Sequence, residues 1–239
     1  MINHNDLLKK LFSNFFVEFL ELFFPEVVTY LEQDSVSFLE QSLLNEMSIL
    51  EQDAFQLVVQ AKFRNQESFF LIYWNNQEQV SANFSQQVFH YFSNLYKQYG
   101  LPVYPIAILV NDEPDSLQPN FHQVKFHDQV VLEFNYALIQ LNHLSWRNFL
   151  RQQNPVASAL MARMNMAPEE RPRVKFRCLH MLAKLALAPT KKQFLFEFID
   201  TYLPLNSEEK QLFEAEIDKI EPLEREAVMD IISNFMESY

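Results

Sequence analysis

Gly100 is the only glycine in this chain of 239 residues. Tight turns and close backbone approaches to phosphate groups depend on glycine because it has no Cβ atom. A P-loop, a G-x-G-x-x-G dinucleotide turn and a G-x-S-x-G nucleophile elbow each need glycines close together along the chain. The sequence therefore excludes nucleotide-binding and hydrolase sites of these three types.

The composition favours a folded protein with a sizeable core. Hydrophobic residues make up 49% of the chain and aromatic residues 15%, which suits one large domain or a domain with a helical extension. Cys178 is the single cysteine, so an intrachain disulfide framework and a multi-cysteine zinc site are excluded and a reducing compartment is favoured. No apolar run approaches about 18 residues and the N-terminus lacks the positive charge of a signal peptide, so we expect a cytoplasmic protein with no membrane partner.

Hydrophobic periodicity predicts alternating helices and strands in the first part of the chain. Apolar residues three and four positions apart between Leu7 and Phe23 predict one amphipathic helix that ends before Pro25. The runs FQLVVQAKF and SFFLIYW flank the polar stretch RNQE and predict a hairpin. A second amphipathic helix ends at Gly100, and LPVYPIAILV predicts a buried strand after it.

The pattern changes to successive helices from Ser145 onward, separated by proline or polar turns, with Ser207 as one helix start. FHQVKF and VVLEFNYALIQL predict further strands before that point. We therefore predict an α/β fold in which a mixed sheet flanked by helices occupies residues 1–144. An all-helical C-terminal region, residues 145–239, is expected to pack on that core.

The second strand of the predicted hairpin ends in a run of amides, NNQ, directly after Trp74. The predicted elements follow the order found in PD-(D/E)xK metal-dependent nucleases. That order is a helix, a strand, a second strand that ends in polar residues, a helix and a further strand. Those nucleases place an acidic residue on one strand and E-x-K or E-x-Q at the end of the next. Period-two spacing then brings the last pair to one face, within reach of a divalent metal and the attacking water.

Longer segments carry a more specific resemblance, and they extend over nearly the whole chain. They include FFVEFLELFFPEV, VVQAKFRNQESFFLIYW, YGLPVYPIAIL, LSWRNFLRQQNPVASALMARM, APEERPRVKF and FIDTYLPLNSEEKQLFEAEIDKIEPLEREAVMDI. On these segments the chain resembles the recombination-promoting nuclease and transposase family, in the version common in cyanobacteria. The resemblance implies a restriction-endonuclease-like core, a nuclease ancestry linked to DNA mobility or defence, and a homodimer.

The resemblance also indicates which positions would form a nuclease site. Relatives have a His-Asp pair that opens the first helix, where this chain has His4 and Asn5, with the basic Lys9 further along. They have an acidic residue that opens the first core strand, where this chain has Gln56. Two expected acids are therefore amides here.

At the end of the next strand, relatives have E-x-Q where this chain has Asn75 and Gln77. Gln77 matches that pattern and Asn75 does not. Mg²⁺ is normally held by one or two carboxylates together with waters and substrate phosphate, and an amide supplies no negative charge. The resemblance therefore implies a vestigial site, and we expect no metal, no cofactor and no catalysis.

A substitute carboxylate is the alternative. Asp53 lies three residues before Gln56 and Glu78 directly follows Gln77, and strand alternation directs both away from the site unless a register shift or a bulge intervenes. Glu67 is expected in the hairpin turn. A Mg²⁺ cofactor is expected only if this alternative holds.

Charge is distributed unevenly along a chain whose formal net charge is -12. Residues 147–192 hold ten Lys and Arg against two Glu, between acidic flanks. This basic segment either pairs with acidic parts of the same chain or of a partner subunit, or it contacts nucleic acid. The candidates for contact with DNA, including one on the predicted hairpin, are Lys62, Arg147, Arg151, Arg171, Arg173, Lys175 and Arg177.

The leading hypothesis is a pseudoenzyme of the nuclease and transposase family that acts by binding DNA or a protein partner, such as an active relative. The alternative is an active Mg²⁺-dependent DNA endonuclease that uses His4, Gln77 and either Asp53 or Glu78. A structural or assembly protein that reuses the fold is the third hypothesis. The acidic tail suits this third hypothesis, and the basic segment suits DNA binding.

Overall fold

The computed structural model describes residues 4–39, 55–75, 83–112 and 115–236. The chain divides into two compact units, Met1–Asn142 and His143–Tyr239. Strands occur in the first unit, and the second is helical. The predicted fold class, a mixed-sheet α/β core followed by C-terminal helices, is confirmed.

The first unit contains four described helices and seven described strands. In chain order they are α1 (His4–Asn14), α2 (Phe16–Phe23), α3 (Pro25–Val28), β1 (Leu31–Phe38), β2 (Phe55–Phe63), β3 (Gln66–Asn75), α4 (Phe84–Tyr99), β4 (Val103–Leu109), β5 (Phe121–Phe126), β6 (Gln129–Asn135) and β7 (Ala137–Gln140).

Five strands form one mixed sheet in the order β1-β2-β3-β4-β7. The first three strands are antiparallel neighbours, whereas β4 runs parallel to both β3 and β7. Helix α4 makes the crossover that a parallel pair such as β3 and β4 requires. Strands β5 and β6 form a separate antiparallel ribbon within the connection from β4 to β7.

The hairpin between β2 and β3 has a two-residue turn. Arg64 and Asn65 both have positive φ, 52° and 62°, which is the type I′ geometry that matches the twist of antiparallel strands. Phe63 therefore pairs directly with Gln66. The expectation that Glu67 lies in the turn is wrong, because Glu67 belongs to β3 and pairs with Lys62.

The N-terminal segment differs from the single helix that its periodicity predicts. The helix is interrupted at Phe15, whose φ of -138° and ψ of 40° are not helical. On one side of the break Phe12 lies 5.7 Å from the ring of Trp74, and on the other Phe16 lies 5.5 Å from Phe70. The interruption allows the two halves to follow the twisted sheet while Phe15 itself stays fully buried.

Strand β3 is buried from Phe69 to Asn75 because helices cover both faces of the sheet. Alternate residues such as Leu71 and Tyr73 pack against α4, whereas Trp74 packs against α1. Gly100 ends α4 with a φ of 66°, and its N–H donates a 2.8 Å hydrogen bond to Tyr96. The predicted glycine terminus of this helix is confirmed.

The second unit contains five described helices, and short 3-10 turns lie before and between the first two of them. The helices are α5 (Pro155–Leu160), α6 (Arg171–Lys184), α7 (Pro189–Tyr202), α8 (Ser207–Ile217) and α9 (Pro222–Met236). Helix α8 begins at Ser207, as predicted, and Asn206 caps it. No helix in the described part of the chain is long and apolar enough to cross a membrane.

Candidate functional site: a buried amide cluster at the strand ends

The antiparallel register of β2 and β3 brings two of the sequence-predicted positions together. Gln56 lies opposite Tyr73, so their side chains share one face of the sheet. Asn75 is two residues beyond Tyr73 and therefore shares that face as well. Diagonal neighbours of this kind are about 7–8 Å apart, so Gln56 and Asn75 are adjacent at the end of the strands.

A third amide, Gln140, joins this face from β7. The parallel registers place Asn75 beside Leu109 and Leu109 beside Gln140, so Gln140 is two strand spacings, about 10 Å, from Asn75. Its Nε2 donates to the Ser116 carbonyl at 3.2 Å, and its Oε1 accepts from the Gln118 N–H at 3.0 Å. Gln140 thus anchors the loop that passes over the end of the sheet.

Sequence reasoning missed Gln140 because nothing local distinguishes it from any other strand residue. Its neighbour Asn75 is 65 positions earlier in the chain, and only the parallel pairing of β4 with β7 connects the two. We define the amide cluster as Gln56, Asn75 and Gln140.

The amide cluster is buried and its described side chains are neutral. Gln56, Asn75 and Gln140 are only 4%, 7% and 4% exposed. On the same face, the Tyr73 hydroxyl donates a 2.8 Å hydrogen bond to Oε1 of Gln87 on α4. Buried amides and hydroxyls are tolerated where they are hydrogen-bonded, whereas an unpaired carboxylate at the same depth is far more costly.

The predicted site positions on the first helix, His4, Asn5 and Lys9, lie on the other side of the sheet. Helix α1 covers the face that carries Trp74, whereas Gln56 and Asn75 lie on the face covered by α4. His4 is exposed, and Lys9 and Asn5 are partly buried. Gln77 and the substitute acids Asp53 and Glu78 lie outside the described residues.

The amide cluster does not fit a magnesium ion. Its side chains supply neutral oxygens, whereas Mg²⁺ in proteins is held by one or two carboxylates in addition to water and substrate. Among the described residues, no group of three or more His, Cys, Asp or Glu side chains could hold a metal ion. What the cluster can do is donate and accept hydrogen bonds without carrying charge.

Lys62 and Glu67 lie at the opposite end of the hairpin from the amide cluster. Lys62 is six residues from Gln56 along β2, about 20 Å at strand spacing. The Glu67 carboxylate accepts a 3.0 Å hydrogen bond from Gln60. Lys62 is therefore not positioned to act at the strand ends, and Glu67 cannot replace a missing acid there.

Much of the basic segment is paired with carboxylates inside the helical unit. Four pairs are present, namely Arg147 with Glu170, Arg171 with Glu209 at 2.8 Å, Lys175 with Asp200 at 2.5 Å, and Lys184 with Glu224 at 2.7 Å. Of the two predicted roles for this segment, pairing within the same chain is confirmed for these four cations.

Two of the carboxylate partners are held in their charged form. The backbone N–H of Ala167, and then Arg147, lower the pKa of Glu170. The backbone N–H of Asn206, and then Arg171, likewise lower the pKa of Glu209. Both ion pairs therefore persist at neutral pH.

The remaining DNA-contact candidates of the basic segment are Arg151, Arg173 and Arg177. Arg151 and Arg173 are exposed, and the described residues form no ion pair with either. Arg177 is partly buried, with its guanidinium 5.3 Å from the ring centre of Phe176. The cationic surface open to a phosphate backbone is therefore smaller than the sequence predicts.

No protein-family model, curated protein or solved structure matches the chain. Three buried amides at one edge of a sheet can orient a polar group or a loop. A neutral amide is not a general base, and it leaves a divalent cation without a charged ligand.

Proposed function

We propose that this protein is a catalytically inactive relative of the recombination-promoting nuclease and transposase family, and that it acts in the cytoplasm by binding a protein partner. The observation that carries the proposal is that Gln56 and Asn75 are diagonal neighbours on one face at the end of the β2–β3 hairpin, because Gln56 pairs with Tyr73. These are the two positions at which the resemblance implies metal-binding acids, and both side chains are buried amides.

The physical argument concerns the metal ion. In a nuclease of this kind, the ion polarises the phosphate and activates the attacking water. These two effects lower the activation free energy by several kcal/mol. Without carboxylates at two adjacent positions the ion is not retained. Each lost increment of about 1.4 kcal/mol costs a factor of ten, so losing several kcal/mol slows cleavage by several orders of magnitude.

A protein partner is favoured over DNA because of how the charges are used. The chain carries a formal charge of -12, and four cations of its basic segment already form ion pairs within the same unit. Nonspecific affinity for DNA depends on cations that replace counterions along the phosphate backbone. DNA binding is the second candidate, and the exposed Arg151 and Arg173 are what favours it.

The test is cleavage of supercoiled DNA in the presence of Mg²⁺ or Mn²⁺. We expect wild-type protein to be inactive and the double variant Gln56→Asp, Asn75→Glu to regain metal-dependent cleavage. The matched control is Gln129→Asp, Asn135→Glu, which makes the same two changes at exposed positions of β6 and should remain inactive. Binding of Mg²⁺, measured by calorimetry, should appear in the first variant only.

Cleavage by wild-type protein would contradict the proposal and favour the endonuclease with a substitute acid. In that event Asp53→Asn and Glu78→Gln would show which carboxylate replaces the missing ones. If neither wild type nor the restored variant cleaves DNA or binds Mg²⁺, the nuclease ancestry loses its support. The third hypothesis, an assembly protein, would then be preferred.

A further inference from the structure

An apolar surface lies where the β5–β6 ribbon extends past helix α4. At the near end, His122 stacks on Phe89 with ring centres 5.5 Å apart, and Phe134 lies 4.7 Å from Phe92. These contacts fix the ribbon on the helix. They also show which face of the ribbon is directed toward α4.

The same face continues beyond the helix. Val124 and Phe126 follow His122 at every second position of β5, and Leu132 lies opposite Val124 on β6. Exposure rises along this series, from partly buried at His122 to 41% at Val124 and 68% at Phe126.

Helix α4 extends the surface with stacked aromatic rings. Phe92 and Tyr96 are parallel within 3° with ring centres 6.0 Å apart, and Tyr96 is 53% exposed. We define the ribbon–helix patch as these side chains together: Phe92, Tyr96, Val124, Phe126 and Leu132. A two-stranded ribbon is marginally stable without further packing. Covering the exposed face of the β5–β6 ribbon would therefore stabilise it.

The exposed area of the patch corresponds to a substantial part of one side of a protein interface. With about 200 Å² for a whole aromatic side chain, Tyr96 and Phe126 together expose roughly 240 Å², and Val124 adds roughly 60 Å². A standard interface buries about 800 Å² per partner, of which about 450 Å² is apolar. The patch therefore exposes roughly 300 Å², about two thirds of that apolar area, without Val130, which pairs with Lys125 on the opposite face of the ribbon.

Charge determines which partner fits the patch. One cation, Lys97, and one anion, Asp128, are exposed beside it, whereas Lys125 and Glu133 alternate onto the opposite face of the ribbon, so the patch is formally neutral. The chain as a whole carries -12, which opposes contact between two copies over most of the surface. At the patch, like-charge repulsion is absent and a lysine of one copy can meet a carboxylate of the other.

We propose that the ribbon–helix patch binds a second copy of this chain in a two-fold symmetric dimer. In such an interface the same patch occurs on both subunits and must complement itself, which a neutral apolar surface does. The inference is independent of the proposed function, since neither the amide cluster nor the basic segment contributes to it.

Sedimentation velocity of the full-length chain between about 1 and 100 µM tests the dimer. We expect wild-type protein to be dimeric over the upper part of this range. Phe126→Asp should raise the dimer dissociation constant at least 100-fold, because it removes an apolar anchor and introduces an unpaired charge. Leu223→Asp in the helical unit, where the leucine is 80% exposed, is the matched control and should remain dimeric.

Cross-linking locates the interface without relying on dissociation. Cys178 is fully buried, so Phe126→Cys would carry the only exposed thiol of the chain. A short bismaleimide should convert Phe126→Cys, and not Leu223→Cys, into a covalent dimer. Circular dichroism and the melting temperature would verify that each variant is folded.

Several outcomes overturn the inference. They are monomeric wild-type protein over the whole concentration range, a Phe126→Asp variant that is still dimeric, and cross-linking through Leu223→Cys in place of Phe126→Cys. Monomeric wild type would assign the patch to a different protein. If both Asp variants dissociate, selective cross-linking through Phe126→Cys supports the patch and its absence overturns it.

Discussion

At the scale of single residues, Gln56 and Asn75 occupy space that carboxylates of the same shape could fill. Burial, however, costs a carboxylate far more free energy than it costs an amide. We predict that Asn75→Asp lowers the free energy of unfolding by about 2–4 kcal/mol at pH 8. A buried carboxyl has a raised pKa, so the loss is smallest at low pH, where the group is neutral, and grows as the pH rises.

Urea unfolding at pH 4.5 and pH 8 measures this difference. Asn135→Asp, an exposed position on β6, is the control and should change stability little at either pH. Equal effects of the two variants would show that Asn75 is not in the dry environment that its 7% exposure indicates.

His180 provides a second prediction at this scale. Its ring stacks on Phe176 with centres 5.4 Å apart, and its Nε2 lies 3.1 Å from the Glu224 carboxylate. Burial, and then the nearby Lys184, lower the pKa of His180 below its usual value near 6.5. A lowered pKa means that folding favours the neutral ring, so this contribution to stability is complete above about pH 6.5 and is lost as the pH falls through the folded-state pKa.

Melting temperatures of wild type and His180→Gln between pH 7.5 and pH 5 would detect this loss. The wild-type value should decrease more steeply than that of the variant. His127→Gln, at an exposed turn, should retain the wild-type slope. A slope that is unchanged in His180→Gln would assign the pH dependence to other groups.

Residue-level sequence reasoning found part of the amide cluster and missed the rest for an identifiable reason. Gln56 and Asn75 belong to one hairpin, where a short turn fixes which residues oppose each other. Gln140 reaches the same face only after a helix, the ribbon and two parallel pairings. No local pattern contains that information.

At the scale of elements, two helices of the second unit begin with asparagine caps in contrasting environments. Oδ1 of Asn154 accepts hydrogen bonds from Val156 N–H at 2.8 Å and Ala157 N–H at 3.1 Å, at the start of the fully buried α5. Asn206 makes one such bond, 2.9 Å from the Glu209 N–H, at the exposed start of α8.

We predict that Asn154→Ala costs about 2 kcal/mol of stability and Asn206→Ala about 1 kcal/mol. The difference arises because water can replace the Asn206 oxygen but cannot reach the N–H groups that Asn154 satisfies. Chemical denaturation of the two variants provides the comparison, with each serving as the control for the other. A larger cost for Asn206→Ala would contradict the burial argument.

The elements also show where periodicity is informative and where it is not. The β2–β3 hairpin, α4 with its terminal Gly100 and the buried β4 agree with their sequence patterns. The interruption at Phe15 left no signal, because the apolar spacing continues through it and the cause lies in the sheet beneath. Strand β1 was not predicted either, since it is mostly exposed and has few apolar residues.

At the scale of the whole molecule, the distribution of charge predicts weak contact with duplex DNA and a shallow dependence of that affinity on salt. If Arg151 and Arg173 are the phosphate contacts, the slope of log affinity against log salt concentration is no steeper than about -2. Fluorescence anisotropy with a duplex between about 50 and 200 mM salt would measure it. A slope near -5 or steeper would show that the ion-paired arginines are recruited to DNA, contrary to the choice of a protein partner.

The double variant Arg151→Gln, Arg173→Gln should abolish the measurable affinity for duplex DNA. Lys97→Gln, Lys125→Gln, which changes the same formal charge on the first unit, is the matched control. If both double variants weaken binding equally, the affinity reflects net charge and not a defined site.

The placement of the β5–β6 ribbon has a consequence for how such a protein diversifies. Within the described part of the chain, the ribbon's strands pair only with each other, and the five-stranded sheet uses none of their hydrogen bonds. Insertions, deletions and substitutions at its tip therefore leave the strand register that positions Gln56 and Asn75 unchanged. In proteins descended from a common ancestor, the ribbon tip can therefore change its binding partner while the sheet is conserved. Lineages that share the same fold can in this way evolve different protein–protein interactions.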